Sequence, residues 1–295
     1  MRARRTKFAA LMAAGLLALS ACGDAGSDDD GDSGPDVEVE NEDFDAGTRM
    51  AEIQKDGKVK IGVKFDQPGI GFKAAGSDTP TGFDPAIGKI LAAKLGVEAK
   101  DIEWVETVSA NREPFLQNGT VDFVIASYSI TDERRTIVGQ AGPYYVTGQS
   151  LLVAKDDTSI KGPEDLKGKK VCSVTGSTSI ETVEKEFGAT PAGFDTYSEC
   201  VDQLTNGSVD AVTTDAAILL GYAAEDPDKL KVVGEPFSEE RYGIGFGKDK
   251  PELCEFINDT LEDAFEDGLW KDAFDSTLGK GGGEAGDPPA LDPCA

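Results

Sequence analysis

Ser127-Tyr128-Ser129-Ile130-Thr131-Asp132-Glu133-Arg134 sets two hydroxyls two residues apart and a guanidinium at the start of the next turn. On an extended segment, residues two apart share one side, so Ser127 and Ser129 leave a strand end together and Arg134 opens the helix beyond. A planar guanidinium takes a carboxylate bidentately, with hydroxyls and backbone N–H groups filling the remaining lone pairs. The structural alternative is that Ser129 or Thr131 caps the helix while Arg134 pairs with Asp132 or Glu133. Asp215 offers the complementary chemistry, a carboxylate for a primary ammonium, at the head of a helix over 216–220 that it can also cap. Arginine and aspartate a short distance apart suit a small zwitterion, an α-amino acid.

The elements that must position these groups are legible. Residues 116–127 read LQNGTVDFVIAS and residues 204–215 read LTNGSVDAVTTD, an internal repeat. In each, a helix ends at Asn-Gly, which serves as a C-cap, and a short buried strand opens with Val-Asp. Ser127 and Asp215 close the two units at equivalent points, the carboxyl ends of their strands, where open α/β sheets bind ligands. Earlier, Val59, Ile61, Val63 and Phe65 alternate with Lys60, Gly62 and Lys64, a strand signal with period two. A helix follows with Asp84 expected at the N-cap, Pro85 at N1, a stripe of Ile87, Ile90, Leu91 and Leu95, and Gly96 closing it. The fold class is α/β. Two related lobes face each other across a cleft, the chain crossing between them within 142–153 and returning within 235–246. Pro251–Glu266 reads as an acidic amphipathic helix, and the glycine-rich end is expected to be loose apart from a tie at Cys294.

Composition closes several doors. The chain has 295 residues, 55 acidic and 29 basic, and no histidine. A formal charge of −26 makes nucleic acid a poor partner. Without histidine there is no Ser-His-Asp or Cys-His pair and no His-ligated zinc or haem; no cofactor or metal is implied. No side chain of ordinary pKa titrates between about pH 5 and 8, so ligand binding is expected to be nearly flat across that range. Arg2, Arg4, Arg5 and Lys7 precede the apolar run 8–19, which is too short to span a bilayer and reads as an export signal. Residues 23–45 carry eleven acidic and no basic side chains among Gly, Ser and Pro, the composition of a disordered tether. The folded body keeps −19. With a Debye length of about 8 Å at physiological salt, local arginines outweigh that distant surface charge for an anionic ligand. Cys172, Cys200, Cys254 and Cys294 allow three disulfide connectivities; pairing 172 with 200 and 254 with 294 closes the shortest loops.

Beyond these readings the chain resembles a known family. Leu19-Ser20-Ala21-Cys22 is similar to a lipobox, which implies cleavage after residue 21 and a lipid on Cys22. From about Val59 to Gly279 the sequence resembles the solute-binding proteins of polar amino-acid ABC importers, above all the glutamate-binding lipoproteins of actinobacteria. The resemblance rests on Gly62-Val63-Lys64-Phe65-Asp66-Gln67-Pro68-Gly69, Thr81-Gly82-Phe83-Asp84, the run 127–134, Gly142-Pro143-Tyr144-Tyr145, Cys172 to Thr178, Tyr197-Ser198-Glu199-Cys200, Thr213-Thr214-Asp215 and Tyr242-Gly243-Ile244-Gly245. It implies the type II periplasmic-binding-protein fold, two α/β lobes joined by a two-strand hinge with the ligand between them. The expected divisions are a signal over 1–21, tether 22–48, first lobe 49–148, second lobe 149–240, return to the first lobe 241–280 and tail 281–295.

What the resemblance implies for the site is specific. Arg134 holds the α-carboxylate with Ser127 and Ser129 beside it, and Asp215 takes the α-amine. Ser177 and Thr178 complete carboxylate binding at a helix N-terminus, and Cys172 pairs with Cys200. For the side chain, Arg112, within Asn111–Gly119, is expected to meet the distal carboxylate of an acidic ligand. Lys64 at the end of the first strand is a second candidate, and Phe83 packs against the ligand's aliphatic part. The implied protein is a monomeric, lipid-anchored extracytoplasmic receptor, not an enzyme, that delivers glutamate or aspartate to a membrane permease. The alternatives are an enzyme on the same fold, similar to cyclohexadienyl or arogenate dehydratases, or a receptor for another polar amino acid such as glutamine.

Overall fold

The computed structural model describes residues 34–294 except 36, 41, 282 and 284, so the expected export signal, Cys22 and most of the expected tether lie outside the described residues. The first part of the chain forms α1 (Arg49–Asp56), β1 (Val59–Val63), a small hairpin of β2 (Asp66–Gln67) and β3 (Gly71–Phe72), α2 (Phe83–Lys94), β4 (Ile102–Glu106), α3 (Arg112–Gln117), β5 (Phe123–Val124), α4 (Asp132–Ile137) and β6 (Gly139–Thr147). There follow β7 (Gln149–Ala154), β8 (Lys170–Val174), α5 (Thr178–Lys185), β9 (Thr190–Phe194), α6 (Tyr197–Thr205), β10 (Ala211–Asp215), α7 (Ala216–Glu225) and β11 (Leu230–Val233). The chain ends through β12 (Glu240–Phe246), α8 (Glu252–Glu266) and α9 (Leu269–Asp275).

These strands make two five-stranded sheets, β4-β1-β5-β12-β6 and β11-β7-β10-β8-β9. Each carries a parallel core, β1 between β4 and β5 in one and β8 between β10 and β9 in the other, as strand–helix–strand connections require. β12 and β7 run antiparallel to their neighbours. The chain leaves the first sheet at Thr147 and enters the second at Gln149, with Gly148 alone between them. A Cβ on residue 148 would sit 2.3 Å from the Ser238 carbonyl oxygen, so the outgoing and returning segments touch where only glycine fits. Among the described residues no helix is long and apolar enough to cross a membrane.

Each lobe has its own core. Ile61, Val63, Phe83, Ile87, Leu91, Phe123, Tyr144, Tyr242, Trp270 and Phe274 pack in the first; Leu152, Val174, Leu204, Val212 and Leu219 pack in the second. Ile70, in the turn between β2 and β3, belongs to the second core although its strands belong to the first lobe. Full burial of such a side chain contributes about 2 kcal/mol to the closed arrangement.

Three expectations about local structure need correction. The N-cap of α2 is Gly82, not Asp84, which lies in the first turn, fully buried. Its carboxylate bonds to groups elsewhere in the fold and makes no cap. The end of the expected tether is packed: Val37 and Phe44 lie on the first core, the Phe44 ring meets Phe256 edge-on at 5.6 Å, and the Glu40 N–H donates to Ala93 O. Apolar residues interrupt the acidic run there, and Lys94 neutralises Glu40 at 2.8 Å. The tail is tied by more than Cys294. Asp292 accepts from Arg135 at 2.8 Å and Arg241 at 2.5 Å, and its N–H donates to Gly142 O.

Cys172 is bonded to Cys200 and Cys254 to Cys294, closing loops of 28 and 40 residues. The chain-entropy account gives roughly 3.5–4 kcal/mol for each. Guanidinium denaturation of the Cys172→Ser/Cys200→Ser and Cys254→Ser/Cys294→Ser pairs is expected to show losses of that size. An unchanged midpoint for the second pair would mean that tying the tail adds nothing.

Candidate functional site

The two lobes meet over a small, polar-lined cavity of about 10 Å³. The first lobe lines it with Ser109, Arg112, Ser127, Ser129 and Arg134. The second contributes Ser177, Thr178 and Ser179 from the head of α5, Tyr197 from α6, and Thr214, Asp215 and Ile218 from the β10–α7 junction. The repeat therefore places its two closing residues, Ser127 and Asp215, on one cavity from opposite lobes.

Arg134 sits on α4, capped by the Thr131 hydroxyl, which accepts from Arg134 N. Its guanidinium donates to Ser129 O at 2.7 Å and to Gly176 O of the other lobe at 3.1 Å, pairs with Glu113 at 3.2 Å, and lies 5.0 Å from the Tyr128 ring centre. The surface pairing with Asp132 or Glu133 is not what forms. Asp215 stands at the N-cap position of α7 but makes no side-chain cap bond. Its Oδ2 accepts from the Tyr242 hydroxyl at 2.6 Å, and its Oδ1 is buried with no partner. Burial, with Glu240 nearby, pushes the Asp215 carboxyl up to about 7 against the opposing pull of Tyr242, Arg112 and Arg134. An unpaired carboxylate oxygen in a closed cleft is a place for a cation.

Arg112 is placed differently from expectation. It is buried, and its guanidinium donates to four backbone carbonyls: Ser109, Ala126, Ser127 and, across the cleft, Gly176. One of its five N–H donors remains, too few for a bidentate grip on a distal carboxylate. It also stacks 4.6 Å from the Tyr128 ring centre. Arg112 thus ties together the backbone that presents Ser127. Sequence position could not reveal this, because Ala126, Ser127 and Gly176 reach it only through the fold.

Lys64 is buried and donates to the Ser109 hydroxyl at 2.8 Å, one step behind the cavity wall. Burial and the neighbouring Arg112 pull its amine down to about 7, while Asp66 and Asp84 oppose them. Ser177 caps α5, accepting from Ile180 N and donating to Val174 O, while the Thr178 hydroxyl donates to Glu240. Phe83 does not reach the cavity. It is fully buried among Tyr144, Tyr145, Trp270 and Phe274, so its role is core packing.

The sequence reading overlooked Asp84 as a prop of the site. Ser127 adopts φ +42°, the left-handed region that costs a non-glycine residue about 1–2 kcal/mol. Its N–H donates to Asp84 Oδ2 at 2.8 Å, and Tyr144 donates to Oδ1 at 2.6 Å. Burial raises the Asp84 carboxyl to about 7. Ser109, Tyr197 and Thr214 were also missed as cavity residues, although Tyr197 and Thr214 lie inside runs that carry the resemblance.

A hinged pair of α/β lobes enclosing a cavity with guanidiniums on one side and an unpaired carboxylate on the other defines a two-lobed binding protein for a small charged solute. Residues 59–280 match the bacterial extracellular solute-binding proteins, family 3, and the chain belongs to that family. It is 39% identical to the glutamate-binding protein GluB of Corynebacterium efficiens over 289 residues, 93% of this chain and 92% of that protein. It is 36% identical to the ABC transporter glutamine-binding protein GlnH of Bacillus subtilis, over 88% of this chain and 91% of that one. Among solved structures, an ancestral arginine-binding protein bound to arginine superposes with TM-score 0.69 and 40% identity, covering 75% of this chain and 98% of that one.

Proposed function

We propose that this chain is the extracytoplasmic receptor of an ABC importer for an acidic amino acid, L-glutamate first. In this reading it is held at the outer face of the membrane by a lipid on Cys22 and hands its ligand to the permease as a monomer. The observation that carries the reading is the unpartnered Asp215 Oδ1 in a buried cavity that Arg134 also lines. The ligand's ammonium completes Asp215, and its α-carboxylate displaces Gly176 O from the Arg134 fork while Ser127, Ser129 and the head of α5 take its remaining lone pairs. Lys64 supplies positive charge for the distal carboxylate. The kinship with GluB supports glutamate, and the kinship with GlnH favours L-glutamine as the second reading. Asp215, whose pKa burial raises, meets the dehydratase alternative's need for a cleft acid, but that alternative calls for no zwitterion-binding pair, and Arg134 and Asp215 on one cavity supply such a pair.

Titration calorimetry of the mature protein with L-glutamate, L-aspartate and L-glutamine tests the assignment, and its pH dependence adds resolution. An ammonium beside Asp215 favours the carboxylate, so below pH 7 binding must expel the proton that the empty cleft holds there, and affinity falls as pH falls. A carboxylate beside Lys64 favours the ammonium, so above pH 7 binding must take up a proton, and affinity falls as pH rises. L-glutamate is expected to bind most tightly near pH 7, losing up to about tenfold per pH unit on each side, in place of the flat profile that the absence of histidine suggests. L-glutamine is expected to show the acid limb alone. Glutamine binding without glutamate or aspartate binding would overturn the acidic assignment.

A further inference from the structure

The hairpin of β2 and β3 carries a side chain that the site described above leaves unused. Gln67 is fully buried, and neither its amide oxygen nor its amide nitrogen has a hydrogen-bonding partner. Native proteins rarely bury both ends of a primary amide unpaired, because water would satisfy them in the unfolded chain. Residues on both sides of Gln67 are fastened to the second lobe. The Asp66 carboxylate accepts from Tyr197 N at 2.7 Å, and the Tyr222 hydroxyl donates to the Asp66 carbonyl. Gly221 of α7 lies so near Pro68 that a Cβ there would be 2.4 Å from the Pro68 carbonyl oxygen. Those two helices, α6 and α7, also bring Tyr197 and Ile218 to the cavity wall, and Lys64, on the other side, bonds the cavity residue Ser109. Gln67 is therefore enclosed where the hairpin meets the second lobe, between elements that carry the cavity residues Tyr197 and Ile218, and it has a donor and an acceptor to spare.

We propose that Gln67 reads the far end of the bound amino acid's side chain, its amide N–H donating to the ligand's terminal oxygen and its carbonyl accepting from a ligand amide. The inference rests on the amino-acid reading of the cleft. It restricts the ligand class to amino acids whose side chain ends in a carboxylate or carboxamide. Within that class Gln67 accepts either terminus, and the charge on Lys64 sets the preference.

Two variants of the mature protein test it. Gln67→Met replaces an unpaired amide by an apolar chain of similar volume, so the unliganded protein is expected to melt at the same temperature or higher. Its dissociation constants for L-glutamate and L-glutamine are expected to rise at least tenfold in calorimetry. Gln67→Glu places like charge against an acidic ligand and is expected to weaken L-glutamate more than a hundredfold while keeping L-glutamine within tenfold of wild type. Wild-type binding of glutamate with Gln67→Met binding within twofold of it overturns the role of Gln67 and leaves the receptor reading intact. A lower melting temperature together with equal weakening of every ligand by both variants makes Gln67 a structural residue and also overturns the proposal. A wild-type protein that binds no amino acid overturns the receptor reading itself, and this inference with it.

Discussion

Asp215→Asn is expected to raise the dissociation constant for every amino-acid ligand at least a hundredfold in titration calorimetry. The side chain's Oδ2 is already engaged by the Tyr242 hydroxyl at 2.6 Å, which leaves Oδ1 as the free acceptor. Asparagine keeps an acceptor for Tyr242 but turns an N–H₂ donor toward the ligand's ammonium, and it removes the neutralising charge. Breaking one side of a buried ion pair costs about 3–5 kcal/mol, two to three and a half decades of affinity. The unliganded protein should behave in the opposite way. The native pKa of about 7 lies above the unfolded value of 3.8, so between these the folded state holds a proton that the unfolded chain has lost. Stability conferred by that proton declines as pH rises through the window and is absent above pH 7. The asparagine variant lacks this penalty and should melt no lower than wild type at pH 8. Binding within tenfold of wild type would remove Asp215 from the ammonium role.

Arg112→Ala is expected to weaken glutamate, glutamine and every other bound amino acid alike, by about a hundredfold or more, and to destabilise the fold by about 3–5 kcal/mol. The family resemblance points instead to a selective loss of acidic ligands. The difference comes from where the donors go. Four hydrogen bonds to Ser109, Ala126, Ser127 and Gly176 carbonyls disappear together, and three of those carbonyls belong to the backbone that shapes the first-lobe wall. Lysine restores the charge but not the fork, so Arg112→Lys should recover little. Denaturant unfolding alongside ligand titration checks both effects. Unchanged stability with loss confined to acidic ligands would return Arg112 to the distal-carboxylate role.

The residue types of the proposed binding site are legible in the sequence. Hydroxyls two apart on a strand end, an arginine opening the next helix and an aspartate at the matching point of a repeat are short-range facts. Alternation in β1 and the Asn-Gly helix ends are equally local, since strand pleat and cap geometry act over a few residues. The α/β architecture, the two repeated units and the opposed charges of Arg134 and Asp215 follow from such local signals. How the surrounding polar groups are used depends on contacts that only folding creates. Asp84 looks like a helix cap until Ser127 N–H and the Tyr144 hydroxyl, 43 and 60 residues away, claim its two oxygens. Phe83 looks like a ligand platform until an aromatic cluster drawn from 144–145 and 270–274 encloses it. Arg112 gains its role from carbonyls up to 64 residues distant, and Gln67 is left unpaired only because the second lobe closes over its hairpin. A polar side chain in water has no preferred partner. Burial removes the water, and whichever donors and acceptors the fold has brought within reach then settle what that side chain does.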